Sequence, residues 1–445
     1  MYETRSCFRP THILSVIRSS FIRSFGKGGN KKVYSQEDCA ISAFAMFHLK
    51  SPSLLQFQDV CRDKDKKGNI KSMYSVKDVP SDTTMRERLD PVESEVINRA
   101  IHDVIGMAQR SQELQDWDFL KTKLISLDGT GFFSSSTIHC KNCCEKRSKK
   151  DGSILCYHHE MLVGSIVNPF QKQVFPVLFE PICKEDGEEK NDCERNAGKR
   201  WLKHYRRLYP NMPTTIVADG LSSNGPFIQA LKEARCSFIL GAKEDDHKFL
   251  YDWFFSAEEP DVIDFTEERK SVKHRYRFMN NVPLNEKNFD LKVNVLMLEE
   301  EDLSHLTKRG KEKKKLAPKR RWVWVTDYPL TLENVRTIAQ GGRARWKIEN
   351  ETFNTLKTQG YHFEHNYGHG YKNLSNVLAG MMLLAFLFDQ ILFAFNKEVK
   401  KAFEKTSSTY RYLWQKLKSL FEEWIVDSLE KLYLSVFKPP PKPVL

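Results

Sequence analysis

The sequence predicts a mixed α/β protein in which helical segments precede and follow a central β-sheet. Two short apolar runs, at 123–127 and 214–218, each lead directly into Asp-Gly, and such continuous apolar and β-branched runs are typical of strands buried on both faces. After the second run, a helical pattern and a further apolar run at 236–241 repeat the strand–helix–strand order of a parallel sheet. Residues 1–115, in contrast, carry apolar side chains at helical spacing.

Composition indicates a large soluble protein with a polyanionic partner. The chain has 445 residues, of which 40% are hydrophobic and 29% charged, as in ordinary globular proteins. Its net charge of +12 attracts polyanions; nucleic acid is the commonest of these, although an acidic membrane surface fits the charge equally well. The 10 cysteines are scattered through a long chain, which favours reduced thiols and a cytoplasmic location.

One segment, at 374–395, is apolar and long enough to cross a bilayer. It is interrupted by polar residues, among them Asp389 and Gln390, and no second span accompanies it. We therefore predict a buried helix of the protein core, with no membrane partner.

The glycine-bracketed stretch Gly341–Gly360 predicts a helix of about four turns. Arg345 and Glu349 fall one turn apart on the face expected to be buried, whereas Lys347 and Glu351 fall on the solvated side. The other side chains expected on the buried face are Trp346, Ile348, Thr352, Phe353 and Leu356. A carboxylate on a buried face requires a cation. An internal Arg345–Glu349 pair satisfies this requirement, and so does a bound metal with the arginine beside it for phosphate.

The two Asp-Gly pairs favour the metal. A single Asp-Gly after a strand is usually a turn. In open α/β sheets, however, the carboxyl ends of strands are where ligands bind. Asp128 and Asp219, together with Glu349, form a set of carboxylates suited to two divalent cations.

These residues resemble the active-site motif of insertion-sequence transposases of the Asp-Asp-Glu (DDE) superfamily, in the branch with a Tyr-Arg-Glu-Lys signature. The resemblance rests on Asp128 in Ile-Ser-Leu-Asp-Gly-Thr-Gly, Asp219 in Ile-Val-Ala-Asp-Gly and Glu349 in Arg-Trp-Lys-Ile-Glu, and it covers residues 80–395. Two positions depart from the signature. Gly342 stands where the tyrosine is expected, and Lys357 lies one residue further from the glutamate than the pattern requires.

The resemblance implies a transposase with an RNase H-like catalytic core that excises an insertion sequence and transfers its strands to target DNA. It implies Mg²⁺ or Mn²⁺ held by the three carboxylates, and phosphate contacts from Arg343, Arg345, Lys347 and Lys357. The implied partners are double-stranded DNA, at the terminal inverted repeats and at the target, and a second copy of the chain in a homodimer on paired ends. The implied location is the nucleoid of a bacterial-type cell. A nuclease of the same fold without strand transfer, and a catalytically silent DNA-binding relative, remain as alternatives.

The predicted organisation has three parts. Residues 1–115 form a helical DNA-binding region, and residues 116–396 form the catalytic domain, interrupted by a β-rich insertion at 243–320. Residues 397–445 form a C-terminal helical region with a proline-rich tail. The apolar face of this last region fits either dimerisation or packing on its own catalytic domain.

A cysteine- and histidine-rich segment follows the first predicted strands. It contains a Cys-x2-Cys pair and further thiols and imidazoles, the side chains that complete tetrahedral zinc sites. The candidate Zn²⁺ ligands are Cys140, Cys143, Cys156 and His159. Free thiols in a loop are the alternative.

Overall fold

The computed structural model describes residues 8–26, 34–62, 67–184, 190–303, 319–406 and 409–436. Within these ranges eleven strands form one mixed sheet, with the order β3-β4-β2-β6-β7-β11-β10-β9-β8, while β1 pairs with β2 and β5 with β4. The strands are β1 (Asp118–Phe119), β2 (Thr122–Ser135), β3 (Cys144–Arg147), β4 (Ile154–Ile166), β5 (Phe175–Ile182), β6 (Thr214–Ala218), β7 (Ser237–Gly241), β8 (Ile263–Arg269), β9 (Val272–Pro283), β10 (Lys292–Asp302) and β11 (Arg320–Thr326).

Helices precede, interrupt and follow this sheet. They are α1 (Pro10–Phe25), α2 (Gln36–His48), α3 (Leu54–Arg62), α4 (Lys67–Tyr74), α5 (Asp82–Leu89), α6 (Ser94–Arg110), α7 (Lys190–Leu208), α8 (Gly225–Glu233), α9 (Lys248–Ser256), α10 (Val335–Arg343), α11 (Asn354–Thr358), α12 (Leu374–Phe395), α13 (Lys397–Thr406), α14 (Tyr410–Glu423) and α15 (Leu429–Ser435). The predicted α/β class is confirmed. The predicted proline-rich tail lies outside the described residues.

The centre of the sheet combines antiparallel and parallel pairing. Strands β5, β4 and β2 are antiparallel neighbours, and β2, β6 and β7 are parallel ones. The sequence predicted that the first strand ends at 127, directly before Asp128-Gly129, which is wrong. The strand β2 continues through both residues because β4 pairs with it there, Asp128 opposite Val163 and Gly129 opposite Leu162. Cross-strand hydrogen bonds thus override the local turn preference of Asp-Gly.

The strands of the β-rich segment extend the same sheet. β11 pairs antiparallel with β7 on one side and with β10 on the other. β9 then pairs with β10, and β8 with β9. The segment predicted as an insertion therefore adds strands to the central sheet on the side of β7, beyond β11.

Helix α12 lies at the centre of the hydrophobic core. Its most apolar window is 94% buried, and α2 and α6 pack against it. By length and composition alone this helix passes for a membrane span, and it is the one such helix in the described ranges. The prediction of a buried core helix is confirmed.

A buried polar network joins the N-terminal and C-terminal helical regions to α12. Lys50 Nζ lies 2.7 Å from Asp389 Oδ2, and the two side chains are 4% and 0% exposed. The hydroxyl of Tyr361 also donates to Asp389 Oδ2. His48 lies beside this pair, and its Nε2 is 2.9 Å from the hydroxyl oxygen of Tyr433 in α15. Burial lowers the pKa of Lys50 and raises the pKa of Asp389.

The C-terminal helices pack within this chain. In α14 the apolar side chains Leu413, Trp414, Leu417, Leu420 and Phe421 are buried. The ring of Trp414 contacts both Phe393 of α12 and Tyr361. Of the two possibilities left by the sequence, intramolecular packing is therefore present.

Candidate active site

The register of the central strands places Asp128 and Asp219 side by side. β2 and β6 are parallel, with Ser126 opposite Val217. Two residues further along each strand are Asp128, still within β2, and Asp219, immediately after β6 ends at Ala218. Because β6 ends there, its pairing with β2 does not extend to the level of the two carboxylates.

Backbone amides orient both aspartates. The N–H of Gly129 donates to Asp128 Oδ1 at 3.0 Å. The N–H of Leu221 donates to Asp219 Oδ1 at 3.0 Å, which caps a short 3₁₀ turn. Such bonds fix the position of a carboxylate before any ligand arrives.

Glu349 lies on a π-helical turn, and the single helix predicted for 341–360 is wrong. α10 ends at Arg343, a π-helix spans Ile348–Phe353, and α11 follows. Single π turns occur frequently at functional sites. The predicted buried side chains Ile348, Thr352, Phe353 and Leu356 are indeed buried.

Two residues before the π turn depart from the predicted faces. Trp346, expected in the core, is 49% exposed. Lys347, expected in solvent, is half-buried and donates from Nζ to the backbone carbonyl of Gln171 at 2.7 Å, and burial lowers its pKa. The reason is the break after Arg343, since a 100° periodicity cannot be continued across a segment that is not α-helical.

Arg345 links the glutamate to the first aspartate. Its Nη1 lies 2.8 Å from Glu349 Oε1 and 3.2 Å from Asp128 Oδ2. Its backbone carbonyl accepts a hydrogen bond from the hydroxyl of Ser126 in β2, which ties this segment to the sheet. The guanidinium also stacks over the ring of Trp346, with 4.4 Å to the centroid. The predicted Arg345–Glu349 pair is present, and the same guanidinium extends it to Asp128.

The site carries more negative charge than one guanidinium neutralises. Burial raises the pKa of Asp128 to about 7; the charge of Arg345 opposes this shift, while the charges of Glu349 and Asp219 add to it. A carboxyl group whose charged form is disfavoured by other carboxylates gains from a divalent cation, which prefers oxygen ligands. The three predicted metal ligands are therefore brought together, and their charges suit a hard divalent ion.

The other predicted phosphate contacts bond elsewhere in this structure. Arg343 forms an ion pair with Glu300 and stacks over the ring of Trp322 at 4.8 Å. Lys357 Nζ lies 2.9 Å from Glu364 Oε1. Arg345 alone among the predicted contacts is hydrogen-bonded to the predicted metal ligands.

Glu194 is a residue of the site that the sequence reasoning missed. It lies on α7, in the wall of the small cavity that Asp128 and Asp219 also line. A Cβ atom at Gly129 would lie 3.2 Å from Glu194 Oε1, so this glycine keeps the strand and the helix close together. The helical stripe that includes the buried Trp201 and Tyr205 also passes through position 194, and that periodicity was the available signal.

The missing signature tyrosine has a steric explanation. A Cβ atom added at Gly342 would lie 2.5 Å from the ring of Trp324. Trp324 is itself only 4% exposed and fills the space beside the glycine. No larger side chain fits at position 342 without moving this tryptophan.

The cysteine- and histidine-rich segment forms a cluster, but not with the predicted ligands. Cys140, Cys143 and His159 converge with His369, and their ligand atoms lie within 4.8 Å of one another. The prediction of Cys156 is wrong: it precedes His159 by three residues on β4, and side chains an odd number of residues apart point to opposite faces of a strand. His369 is distant in sequence, and no local spacing indicates it.

Comparison with known proteins gives one family match. Residues 180–387 match the family model described as "Transposase DDE domain". This part of the chain is therefore similar to a transposase DDE domain. The matched range includes Asp219 and Glu349, and DDE transposases generally use divalent metal ions, in agreement with the charge of the site. The predicted resemblance to DDE transposases is thus confirmed over residues 180–387, while the match does not distinguish the Tyr-Arg-Glu-Lys branch.

No curated protein matches this chain. A solved structure, "Cryo-EM structure of piggyBac transposase synaptic complex with hairpin DNA", aligns over 100% of this chain and 83% of that chain, at 9% sequence identity and a TM-score of 0.40. This likeness is too weak to support an inference about the present chain.

Proposed function

We propose that this protein is the transposase of an insertion sequence, which excises its element and transfers the ends into target DNA with Mg²⁺ or Mn²⁺. The observation that carries the proposal is the convergence of Asp128, Asp219 and Glu349, with the guanidinium of Arg345 hydrogen-bonded to Asp128 and Glu349. The match of residues 180–387 to the transposase DDE domain supports DNA cutting by this centre. The motif Arg-Trp-Lys-Ile-Glu supports placement in the Tyr-Arg-Glu-Lys branch, from which the chain departs by having Gly342 at the tyrosine position.

Each residue has a role that follows from its position. Asp128, Asp219 and Glu349 would hold the divalent ions, which when bound activate the attacking hydroxyl and stabilise the leaving oxygen. Asp219 is held for this role by the Leu221 amide, and Asp128 by the Gly129 amide. These hydrogen bonds from backbone amides hold the two carboxylates in place, so less rearrangement is needed when the ions bind.

Arg345 is the residue best placed to receive a phosphate. Arginine presents five N–H donors in a planar fork, and the carboxylates engage it through Nη1. A phosphate oxygen beside the carboxylates would therefore find donors on the same guanidinium. Arg343, Lys347 and Lys357 would reach DNA only after giving up their present partners.

The net charge of +12 supports binding of double-stranded DNA through its phosphates, at the terminal inverted repeats and at the target. Transfer of two ends to one target requires two active sites at fixed spacing, and a twofold homodimer on paired ends is the commonest solution. We further propose that the protein acts in the cytoplasm, at the nucleoid of a bacterial-type cell.

The test uses labelled duplexes that carry the inverted repeats flanking the gene, with purified protein and Mg²⁺. The expected result is cleavage followed by joining to target DNA. Glu349→Gln should abolish both steps while end binding persists, because affinity comes mainly from backbone phosphates. Glu351→Gln, on the same π turn, is the matched control and should remain active.

Other outcomes identify the alternatives. Cleavage without joined product would indicate a nuclease. Binding without cleavage would indicate a silent relative. Loss of activity in Glu351→Gln together with retention in Glu349→Gln would show that the site is wrongly assigned.

A further inference from the structure

The second cluster of ligand-type side chains lies outside the carboxylate site. Cys140, Cys143, His159 and His369 bring two thiols and two imidazoles together, with ligand atoms within 4.8 Å of one another. We propose that this cluster is a structural Zn²⁺ site with Cys₂His₂ ligation, in which His369 is the fourth ligand.

Four of the six distances among the ligand atoms match the edges of a tetrahedron around zinc. Bond lengths of about 2.3 Å for Zn–S and about 2.05 Å for Zn–N give edges of about 3.8 Å between sulfurs and about 3.6 Å between sulfur and nitrogen. The Sγ atoms of Cys140 and Cys143 are 3.7 Å apart. Each sulfur lies 3.3 Å from His159 Nε2, and Cys143 Sγ lies 3.8 Å from His369 Nδ1. All four distances fall within about 0.3 Å of those edges.

The burial of the cluster favours an ion over free thiols. Cys143 is fully buried and His159 is 3% exposed. Without a metal, their sulfur and nitrogen atoms would have mainly weak S–H···N contacts in place of water. A 3.7 Å sulfur–sulfur distance is also far beyond the length of about 2.05 Å in a disulfide.

The backbone is arranged to deliver these ligands. Cys140 and Cys143 lie on one tight turn, in which the N–H of Cys143 donates to the carbonyl of Cys140 at 3.2 Å. The N–H of Cys140 donates to Cys143 Sγ at 3.3 Å, a contact that stabilises a thiolate. His369 stands between Gly368 and Gly370, whose φ angles of 126° and 64° favour glycine.

Zinc at this position would join two parts of the catalytic region. Two ligands come from the loop between β2 and β3, one comes from β4, and His369 comes from the segment between α11 and α12. That segment directly follows the helical turns that carry Glu349. The ion would therefore fix the chain that leaves the active-site glutamate against the strand pair that carries Asp128. This role goes beyond the proposed chemistry, and it does not depend on which DNA the protein cuts.

The experiment measures metal in the full chain, purified without added zinc and dialysed. We expect about one zinc per chain by elemental analysis, and a loss of thermal stability on chelation, since the binding free energy of a structural zinc is folding free energy. Cys143→Ser and His369→Gln should each lose the stoichiometric zinc. Cys156→Ser, on the other face of β4, is the matched control and should retain it.

A second variant addresses the possibility that ligand loss unfolds the protein. His369→Cys keeps four ligands, and Co²⁺ bound to it should show stronger sulfur-to-metal charge-transfer absorption than Co²⁺ bound to the unaltered chain. An unchanged spectrum would exclude His369 as a ligand. The proposal is overturned if the unaltered chain binds neither zinc nor Co²⁺, if a Cys140–Cys143 disulfide is found in its place, or if zinc depends on Cys156 and not on His369.

Discussion

Replacing Arg345 by methionine should destabilise the metal-free protein far more than the protein with Mg²⁺. The guanidinium is the cation hydrogen-bonded to Asp128 and Glu349, and its side chain is only 14% exposed. Methionine fills similar space without the charge. In the metal-free variant the carboxylates therefore face one another with no cation between them.

The magnitude follows from the two contacts. At an effective dielectric constant of about 20, charges 2.8 Å and 3.2 Å apart attract by about 5 to 6 kcal/mol each, most of which is offset by desolvation. Breaking a fully buried pair costs about 3–5 kcal/mol. The side chains of Glu349 and Asp128 are 35% and 23% exposed, so solvent screening lowers the expected loss to about 2–3 kcal/mol.

The assay is urea-induced unfolding at about pH 9, well above the pKa of about 7 that Asp128 has beside Arg345, with EDTA and then with saturating Mg²⁺. In Mg²⁺ the bound ions replace the missing charge, and the loss should shrink to about 1 kcal/mol or less. Arg343→Met is the control, since its exposed pair with Glu300 is worth at most about 1 kcal/mol and should not respond to Mg²⁺. Equal losses for Arg345→Met in EDTA and in Mg²⁺ would refute the assignment of this site to a divalent ion.

Three further predictions test the charge, the buried network and the packing. Because burial raises the pKa of Asp128 from 3.8 to about 7, the metal-free protein should lose stability as pH rises between these values. Asp128→Asn should abolish this loss, which is worth at most about 4 kcal/mol in pH-dependent urea unfolding. An unchanged pH profile would contradict the raised pKa. Lys50→Met should lower the free energy of unfolding by about 3–5 kcal/mol at neutral pH, because it leaves the charge of Asp389 unpaired. The double variant Lys50→Met with Asp389→Asn should recover most of that loss. Equal losses in the single and double variants would show that the unpaired charge is not the cause. Gly342→Ala should lower the free energy of unfolding by about 1–3 kcal/mol, because the Cβ of the alanine would lie 2.5 Å from the Trp324 ring. An unchanged free energy of unfolding in the same assay would mean that the tryptophan moves freely.

The sequence predicted the three carboxylates because each lies where local pattern and chemistry coincide. Asp128 and Asp219 stand at corresponding positions of the parallel neighbours β2 and β6, whereas the strand–helix–strand pattern predicted the parallel pairing of β6 with β7. Glu349 was identified because a charged residue among buried side chains requires a partner, and Arg345 is that partner. Burial pattern, residue type and the resemblance to the transposase motif together carried these predictions.

Where prediction failed, the deciding contact was distant in sequence or the helix was irregular. Trp346 and Lys347 were misplaced because α-helical periodicity does not continue through the break that follows α10. Cys156 was chosen by spacing, although strand alternation on β4 already separates it from His159. His369 could not be found from spacing, because it reaches the cluster only through the folding of a segment more than 200 residues further along the chain.

The chain that follows Glu349 is held at both ends by residues outside the carboxylate site. At its start, the hydroxyl of Tyr361 donates to Asp389, which Lys50 of the N-terminal region neutralises. Near its end, the side chain of Asp90 accepts hydrogen bonds from the backbone amides of Tyr371, Lys372 and Leu374, at 3.0, 2.9 and 3.2 Å, where α12 begins. Since Lys50 follows α2 and Asp90 follows α5, the helical region that precedes the sheet supports the segment that follows Glu349. We therefore propose that motion of this helical region would shift the segment that follows Glu349.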